Sequence, residues 1–172
     1  PLWIACLKGH VEVARLLLEK GAEVDRVGKK GVTPLLIACQ QGHVDTARLL
    51  LDKGAKVDRA EKEGATPLYI ACRKGSVDAA RLLLDNGAEV ERADARGRTP
   101  LDIAKRNDHD AVVALLEEHL DSKFPLHAAA RTGDVEAMTQ LLDGGAAVDL
   151  AKGDGTTALF VTCEHGHVDA AR

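Results

Sequence analysis

This sequence has no apolar run near the roughly 20 residues that a membrane-spanning helix needs. It also lacks a strong charge of either sign, because its net charge is only −4 although 29% of its residues are charged. Aromatic residues make up 2% of the chain and are not interleaved with basic ones, as they are in many nucleic-acid-binding surfaces. We therefore expect no membrane contact, and nucleic-acid binding is disfavoured, while 45% apolar residues argue against a disordered chain.

Motifs that carry catalysis are missing as well. The chain contains no Walker loop, no HExxH and no GxSxG. A hydrolase that uses Cys and His is the enzymatic alternative, but its Cys residues recur at a fixed spacing instead of forming one uniquely placed nucleophile. We expect no enzyme, with no catalytic, cofactor-binding or metal-binding residue.

A repeat of 33 residues is the main feature that the chain does have. Thr33-Pro34-Leu35, Thr66-Pro67-Leu68 and Thr99-Pro100-Leu101 recur at that spacing, and Pro1-Leu2 lies one period earlier. Such a period indicates a solenoid, in which each unit buries its apolar face against its neighbours. The product of such a chain is a long surface that can hold a partner.

Each unit predicts two short helices followed by a projecting hairpin loop. Thr is a good N-cap and Pro suits the first helical turn, so Thr-Pro opens the first helix, and the Gly eight residues after the Pro closes it. The second helix carries an acid in its first turn and an apolar stripe through a leucine run, as in Leu49-Leu50-Leu51. The segment from Gly54 to Gly64 is polar and rich in turn residues.

These strings resemble ankyrin repeats. The resemblance rests on the 33-residue period and on strings such as TPLLIACQQGHVDTARLLLDKGAKVD, which begins at Thr33. It spans nearly the whole chain. It implies an all-α dominated repeat solenoid of helix-turn-helix units with β-hairpin loops, about five to six units long, with truncated units at both ends. It also implies a protein-binding scaffold without catalytic activity.

The period fails once. From Pro100 the next equivalent is Pro125, 25 residues later, and the short link from Leu120 to Phe124 replaces the hairpin. The fourth unit is also more polar and resembles a terminal cap. We predict repeats 1 to 4 in residues 1–120 and repeats 5 and 6 in residues 121–172. The second segment either starts a second array or continues one solenoid that lacks one loop.

Cysteine and histidine fall in repeated columns, which favours structural roles. Cys6, Cys39, Cys72 and Cys163 follow the Pro or its equivalent by five residues, where we expect a small buried slot and free thiols. Repeats stack about 8 to 10 Å apart, too far for a disulfide, which needs Cα atoms within about 7 Å. For the histidines that follow the first helix we predict a role in the turn. They are His10, His43, His109 and His167.

Three of the four aromatic residues share one column. Trp3, Tyr69 and Phe160 lie two residues after the Pro or its equivalent, where the family usually has His, which only His127 retains. Two roles stay open, namely filling space between neighbouring first helices and anchoring a partner.

Charge is segregated along the units. The positions that face partners in the family lie six and seven residues after the Pro, and here they contain five basic residues and one acidic residue. Acids gather instead on the second helices, so we predict a basic groove on an acidic body, with basic residues also in the hairpins. The candidate partner-binding residues are Lys8, Lys29, Lys30, Gln40, Gln41, Lys62, Tyr69, Arg73, Lys74, Arg96, Arg98, Arg106 and Arg131.

The expected function is therefore a non-catalytic scaffold that binds another protein, through an acidic segment of that partner. One alternative is a regulatory or targeting segment of a larger multidomain enzyme, and a remote one is nucleic-acid binding through the basic groove. We expect a monomer with no cofactor. Free thiols favour a reducing compartment, so we expect an intracellular and cytoplasmic location.

Overall fold

The computed structural model describes residues 1–153 and 155–171, and this part of the chain is built from helices. It contains no named strand, only one isolated antiparallel bridge between Ala151 and Thr157. No helix in it is both long enough and apolar enough to cross a membrane. The helices are α1 (Leu2–Lys8), α2 (Val11–Glu19), α3 (Pro34–Gln41), α4 (Val44–Asp52), α5 (Pro67–Lys74), α6 (Val77–Asp85), α7 (Pro100–Arg106), α8 (Asp110–Lys123), α9 (Pro125–Thr132), α10 (Val135–Asp143), α11 (Ala158–Glu164) and α12 (Val168–Ala171).

The predicted helix boundaries are confirmed by their caps. The Thr33 hydroxyl accepts the backbone N–H of Leu36 at 3.1 Å, and Thr66 accepts that of Tyr69 at 3.1 Å. Gly42 ends α3 in the left-handed region, with φ 74°, where a glycine is favoured because it has no Cβ. In α3 and α5 the Thr-Pro start and the Gly end therefore define the first helix as the sequence indicates, whereas α7 ends at Asn107 and α9 follows Phe124.

The chain divides into two compact units, Pro1–Leu115 and Leu116–Arg172, with the division inside α8. In the first unit the first helices pack in the order α1, α3, α5, α7, and the second helices in the order α2, α4, α6. Small Ala38 and Ala71 are fully buried between first helices, and Leu50 and Leu83 are fully buried on second helices. Each buried leucine contributes about 1.5–3 kcal/mol, so stability is distributed along the stack.

Projecting loops, here called fingers, follow the second helices. Their tips close by a backbone bond across five residues, from the N–H of Gly28 to the carbonyl of Val32 at 2.8 Å, and from Asp94 to Arg98 at 2.9 Å. The equivalent bond in the middle finger joins Glu61 to Ala65 at 3.1 Å. In the described residues these fingers are turns without strands. Loops therefore occupy the positions for which the sequence predicts β-hairpin loops.

Neighbouring fingers of the first unit are bonded to each other. The N–H of Lys62 donates to the carbonyl of Lys30 at 3.1 Å, and that of Ala95 donates to Glu63 at 2.8 Å. Lys30 has a positive φ of 60°, which a lysine adopts at a cost. The finger bonds therefore fix the spacing of successive repeats.

The second unit has its own apolar cluster, formed by α9, α10 and α11. Leu126, Ala130, Met138 and Val161 are buried in it. Helix α8 continues to Lys123, and α9 begins at Pro125, so helix occupies the segment from which the hairpin is missing. The domain boundary at residue 120 stays a prediction.

Candidate partner-binding surface

Six of the predicted binding residues form the first-helix row of the first unit. They lie at the C-terminal ends of α1, α3, α5 and α7, and all are exposed except Gln40, which is half-buried. Because these helices pack in sequence, residues at the same helix position follow one another along the stack. The first-helix row consists of Lys8, Gln40, Gln41, Arg73, Lys74 and Arg106.

The backbone beneath the basic part of this row is held by two side chains of the following repeat. The carbonyl of Arg73 accepts Nδ2 of Asn107 at 3.2 Å and Nε2 of His109 at 3.2 Å. The end of α5 is therefore anchored to the loop after α7, while the side chains of Arg73 and Arg106 stay exposed. A cationic pair on a fixed backbone suits an acidic group on a partner.

Of the five predicted finger residues, four are exposed, and the fifth, Arg98, is paired with an acid of its own finger. Lys29, Lys30, Lys62 and Arg96 are exposed at the tips. Arg98 instead points back onto its own finger, where its guanidinium donates to the Asp94 carboxylate at 2.6 Å. Arg98 therefore contributes to the structure of the finger, which reduces the charge that it can offer to a partner.

Asp94 organises that finger. Its side chain is 5% exposed, and its carboxylate accepts the backbone N–H groups of Arg96 and Arg98 as well as the Arg98 side chain. Burial opposes ionisation of Asp94, yet these hydrogen bonds hold its pKa well below its usual range. The carboxylate therefore stays charged at neutral pH.

Tyr69 lies beneath the same finger and does not reach solvent. It is 2% exposed, and the Arg98 guanidinium carbon lies 5.9 Å from the centre of its ring. Burial, followed by the nearby Asp94 carboxylate, raises the pKa of Tyr69. The finger covers the ring, so Tyr69 presents little surface to a partner in this arrangement, and its role as a partner contact stays a prediction.

The other residues of the aromatic column are also buried or half-buried where a finger lies over them and exposed where none does. A Cβ added at Gly28 would lie 3.2 Å from the Trp3 indole nitrogen, so that finger approaches the half-buried Trp3. His127 is buried, and its Nε2 donates to the carbonyl of Thr156 at 3.0 Å. Phe160 is 59% exposed, and no finger follows it in the described residues. The side chains of this column therefore fill the space beneath a finger wherever a finger is present.

Arg131 lies in the second unit and already has an acidic partner. Its guanidinium donates to the carboxylate of Asp121 at 2.5 Å, and both side chains are partly exposed. This surface ion pair contributes little to stability. It does reduce the charge that Arg131 can offer to a partner.

The cysteine column is buried in three of its four members. Cys6, Cys39 and Cys72 are buried, and burial raises their pKa values to about 11, 12 and 12, respectively. Cys163 is exposed, which corrects the expectation of a buried slot, because no first helix packs over α11 from the following side in the described residues. No group of three or more potential metal ligands occurs in this part of the chain.

The histidine column connects successive repeats. Nε2 of His43 lies 3.2 Å from the carbonyl of Leu7, and Nε2 of His167 lies 3.1 Å from that of Arg131. Each ring also occupies the space beside the glycine that ends the preceding first helix, since a Cβ at Gly9 would lie 2.6 Å from His43. These histidines therefore stabilise the turn of the preceding repeat.

The second helices of the first three repeats carry basic as well as acidic side chains. In the first three repeats their acids are exposed, but α2, α4 and α6 each also carry an exposed arginine, and Arg15 lies 3.5 Å from Glu12. The equivalent arginines are Arg48 and Arg81. The contrast between a basic row and an acidic body is therefore weaker than predicted.

One basic column of the repeats lies outside the predicted binding residues. Arg26, Arg59 and Arg92 recur at the 33-residue period, directly after the acid that follows each Gly-Ala-x-Val segment. Arg26 and Arg92 are exposed, and Arg59 is half-buried. The repeat alignment contains this signal, although these arginines lie outside the first-helix and finger-tip positions.

The comparison with known families agrees with this architecture. The family model described as ankyrin repeats (3 copies) matches residues 1–61, 57–124 and 114–172, and these matches together span the chain. No curated protein matches it.

Proposed function

This chain belongs to the ankyrin repeat family, and from that premise we propose that it is a non-catalytic scaffold that holds an acidic segment of a partner on its first-helix row. Ankyrin repeats are generally protein–protein interaction modules. The exposed finger-tip residues Lys29, Lys30, Lys62 and Arg96 extend the contact. The scaffold acts as a monomer inside the cell, and the buried free thiols support the intracellular location.

One observation supports this surface more than any other. Arg73, Lys74 and Arg106 are exposed on α5 and α7, which pack directly against each other. The side chains of Asn107 and His109 hold the backbone at Arg73, so the cationic group is presented from a fixed position. Fixed charges favour a complementary partner and accelerate its association at low salt.

The enzymatic alternative has little support in this segment. A nucleophilic cysteine needs a lowered pKa, whereas burial raises that of Cys6, Cys39 and Cys72. The scaffold can still serve as the regulatory or targeting segment of a larger enzyme. Binding of nucleic acid remains the remote alternative, because the net charge is negative.

Affinity capture with a matched control tests the proposal. The row variant carries Arg73→Glu, Lys74→Glu and Arg106→Glu, and the control carries Arg15→Glu, Arg48→Glu and Arg81→Glu, which change the net charge equally on exposed second-helix positions. We expect the row variant to lose a protein that the wild-type chain and the control both capture. Capture of the same protein by the row variant, at matched folding, would contradict the proposal.

A further inference from the structure

We propose that the loops between the second helices and the fingers form a second binding surface, which takes an acidic segment in the polyproline II conformation with carboxylates three residues apart. The surface is the arginine ladder, defined as Arg26, Arg59 and Arg92 together with Lys56. It is separate from the first-helix row and does not depend on the function proposed for that row.

The ladder lines two adjoining clefts in the first unit. One cleft, of about 530 Å³, is lined by Arg26, Lys56 and Arg59, along with Val24 and Val27. The next, of about 440 Å³, is lined by Lys56, Arg59 and Arg92. Because both clefts contain Lys56 and Arg59, the cationic side chains form one continuous series across three repeats.

The acids in these clefts offset part of the ladder's charge, and Asp58 attracts Arg92, but the clefts keep an excess of one cation. Glu23, Asp25 and Asp58 line them, against four cationic side chains. The Asp25 carboxylate accepts the backbone N–H of Lys56 at 3.3 Å, and that of Asp58 accepts the N–H of Glu89 at 3.1 Å. These two carboxylates therefore have a structural role, joining each loop to the next, and they hold the arginines in a regular series.

The spacing of the repeats selects the conformation of the ligand. Packed helices lie about 8 to 10 Å apart, so we expect successive rungs of the ladder at that distance. A polyproline II helix has three residues per turn and rises about 3.1 Å per residue, which places every third side chain on one face about 9 Å apart. Side chains on one face of a β-strand repeat every second residue, at about 6.6 Å, and do not match.

An α-helix with acids seven residues apart would also span about 10.5 Å between rungs. Covering three rungs would then take about 15 residues of helix, which is marginal in isolation. A polyproline II segment needs about seven residues and is already extended in the free peptide, so less conformational entropy is lost on binding. The short, preformed ligand is favoured for these reasons.

The ladder is confined to the first three repeats. In the fifth repeat Leu150 occupies the same column and is 46% exposed. A ligand that needs three cationic rungs therefore finds them only in the first unit.

Two peptides of identical composition test the proposal. The phased peptide has the sequence Glu-Pro-Pro-Glu-Pro-Pro-Glu, and its isomer places the three Glu together before four Pro. Binding to the full chain is measured by isothermal titration or by NMR shifts at low salt. We expect the phased peptide to bind about tenfold more tightly than the isomer, because only it aligns three carboxylates with three rungs.

Two variants locate the site. Arg26→Gln, Arg59→Gln and Arg92→Gln together should weaken binding of the phased peptide about tenfold, while Arg15→Gln, Arg48→Gln and Arg81→Gln together should leave it within about twofold. Thermal unfolding of both variants verifies the fold. Equal binding of both peptides, or equal loss in both variants, would overturn the proposal. So would tighter binding of a helical peptide with acids seven residues apart, or binding of single-stranded nucleic acid but not of the phased peptide.

Discussion

At the scale of single residues, position in the repeat decides what each side chain does. Cys39 and Cys163 share a column, yet the first is buried and the second is exposed. Tyr69 and Phe160 differ in the same way. The difference arises from the element that follows, since a first helix covers the cysteine and a finger covers the aromatic ring.

Thiol labelling tests this difference directly. We expect a maleimide probe at neutral pH to modify one cysteine of the folded chain, Cys163, and all four after denaturation. Burial makes Cys6, Cys39 and Cys72 inaccessible to the probe. Burial also raises their pKa values to about 11 to 12, so their thiols stay protonated at neutral pH. The variant Cys163→Ser should show no labelling in the folded state. Rapid labelling of that variant would contradict the burial of the column.

Asp94 should make stability depend on pH. Its pKa is depressed in the folded chain, so its contribution is fully present above the ordinary carboxyl pKa of about 3.9 and is lost as the pH falls. We expect Asp94→Asn to lower the free energy of unfolding by about 1–3 kcal/mol at pH 7. Urea unfolding should show this difference unchanged at pH 5 and smaller below about pH 4. A difference independent of pH would contradict the role of the charged form.

At the scale of the element, the contacts between neighbouring repeats follow the histidine column. His43 and His109 each bond to a carbonyl of the preceding first helix, but the third repeat has Ser76 in that place. The space is vacant there, because a Cβ at Gly42 would meet no atom within 4 Å. One contact of the series is therefore absent between the second and third repeats.

Replacing Ser76 by His should restore that contact. We expect Ser76→His to raise the free energy of unfolding by about 0.5–1.5 kcal/mol, the usual range for one added hydrogen bond. Urea unfolding at pH 8, where a histidine is neutral, gives the value. Ser76→Ala serves as the control and should change little, since the Ser76 side chain makes no capping bond. Destabilisation by Ser76→His would show that the site does not accept the ring.

The sequence predicts the elements themselves well. Thr33 before Pro34 and the later Gly42 define a first helix by local chemistry alone, so the boundaries needed no knowledge of tertiary contacts. The environment of Tyr69 could not be found in this way, because it depends on Asp94 and Arg98, more than 20 residues further along the chain. The ion pair between Asp94 and Arg98 joins residues only four positions apart, but it forms in a finger turn and not on a helix, so helix periodicity does not indicate it.

At the scale of the whole molecule, the chain divides into two compact units, Pro1–Leu115 and Leu116–Arg172. Finger bonds tie the first three repeats together, as between Lys62 and Lys30. After α8 the chain passes into α9 within two residues, without a finger. The candidate binding residues of the first-helix row all lie in the first unit, so this unit should act as the binding module.

Hydrogen exchange tests the missing finger. We expect amides between Leu115 and Leu126 to exchange faster than those of the first three repeats, because the bonds between neighbouring fingers are not available there. Mass spectrometry of exchanged peptides gives the comparison. Exchange that is equally slow across this segment would favour one continuous solenoid and remove the basis for a junction.

The most direct measurement of the central claim is the affinity of the captured partner for the wild-type chain, the row variant and the second-helix control, at low and at physiological salt. The account requires that the wild type and the control bind alike and weaken together as salt rises, and that the row variant binds at least about tenfold more weakly at low salt with little salt dependence. Equal affinity of the row variant, with the same dependence on salt, would show that Arg73, Lys74 and Arg106 are not the binding site.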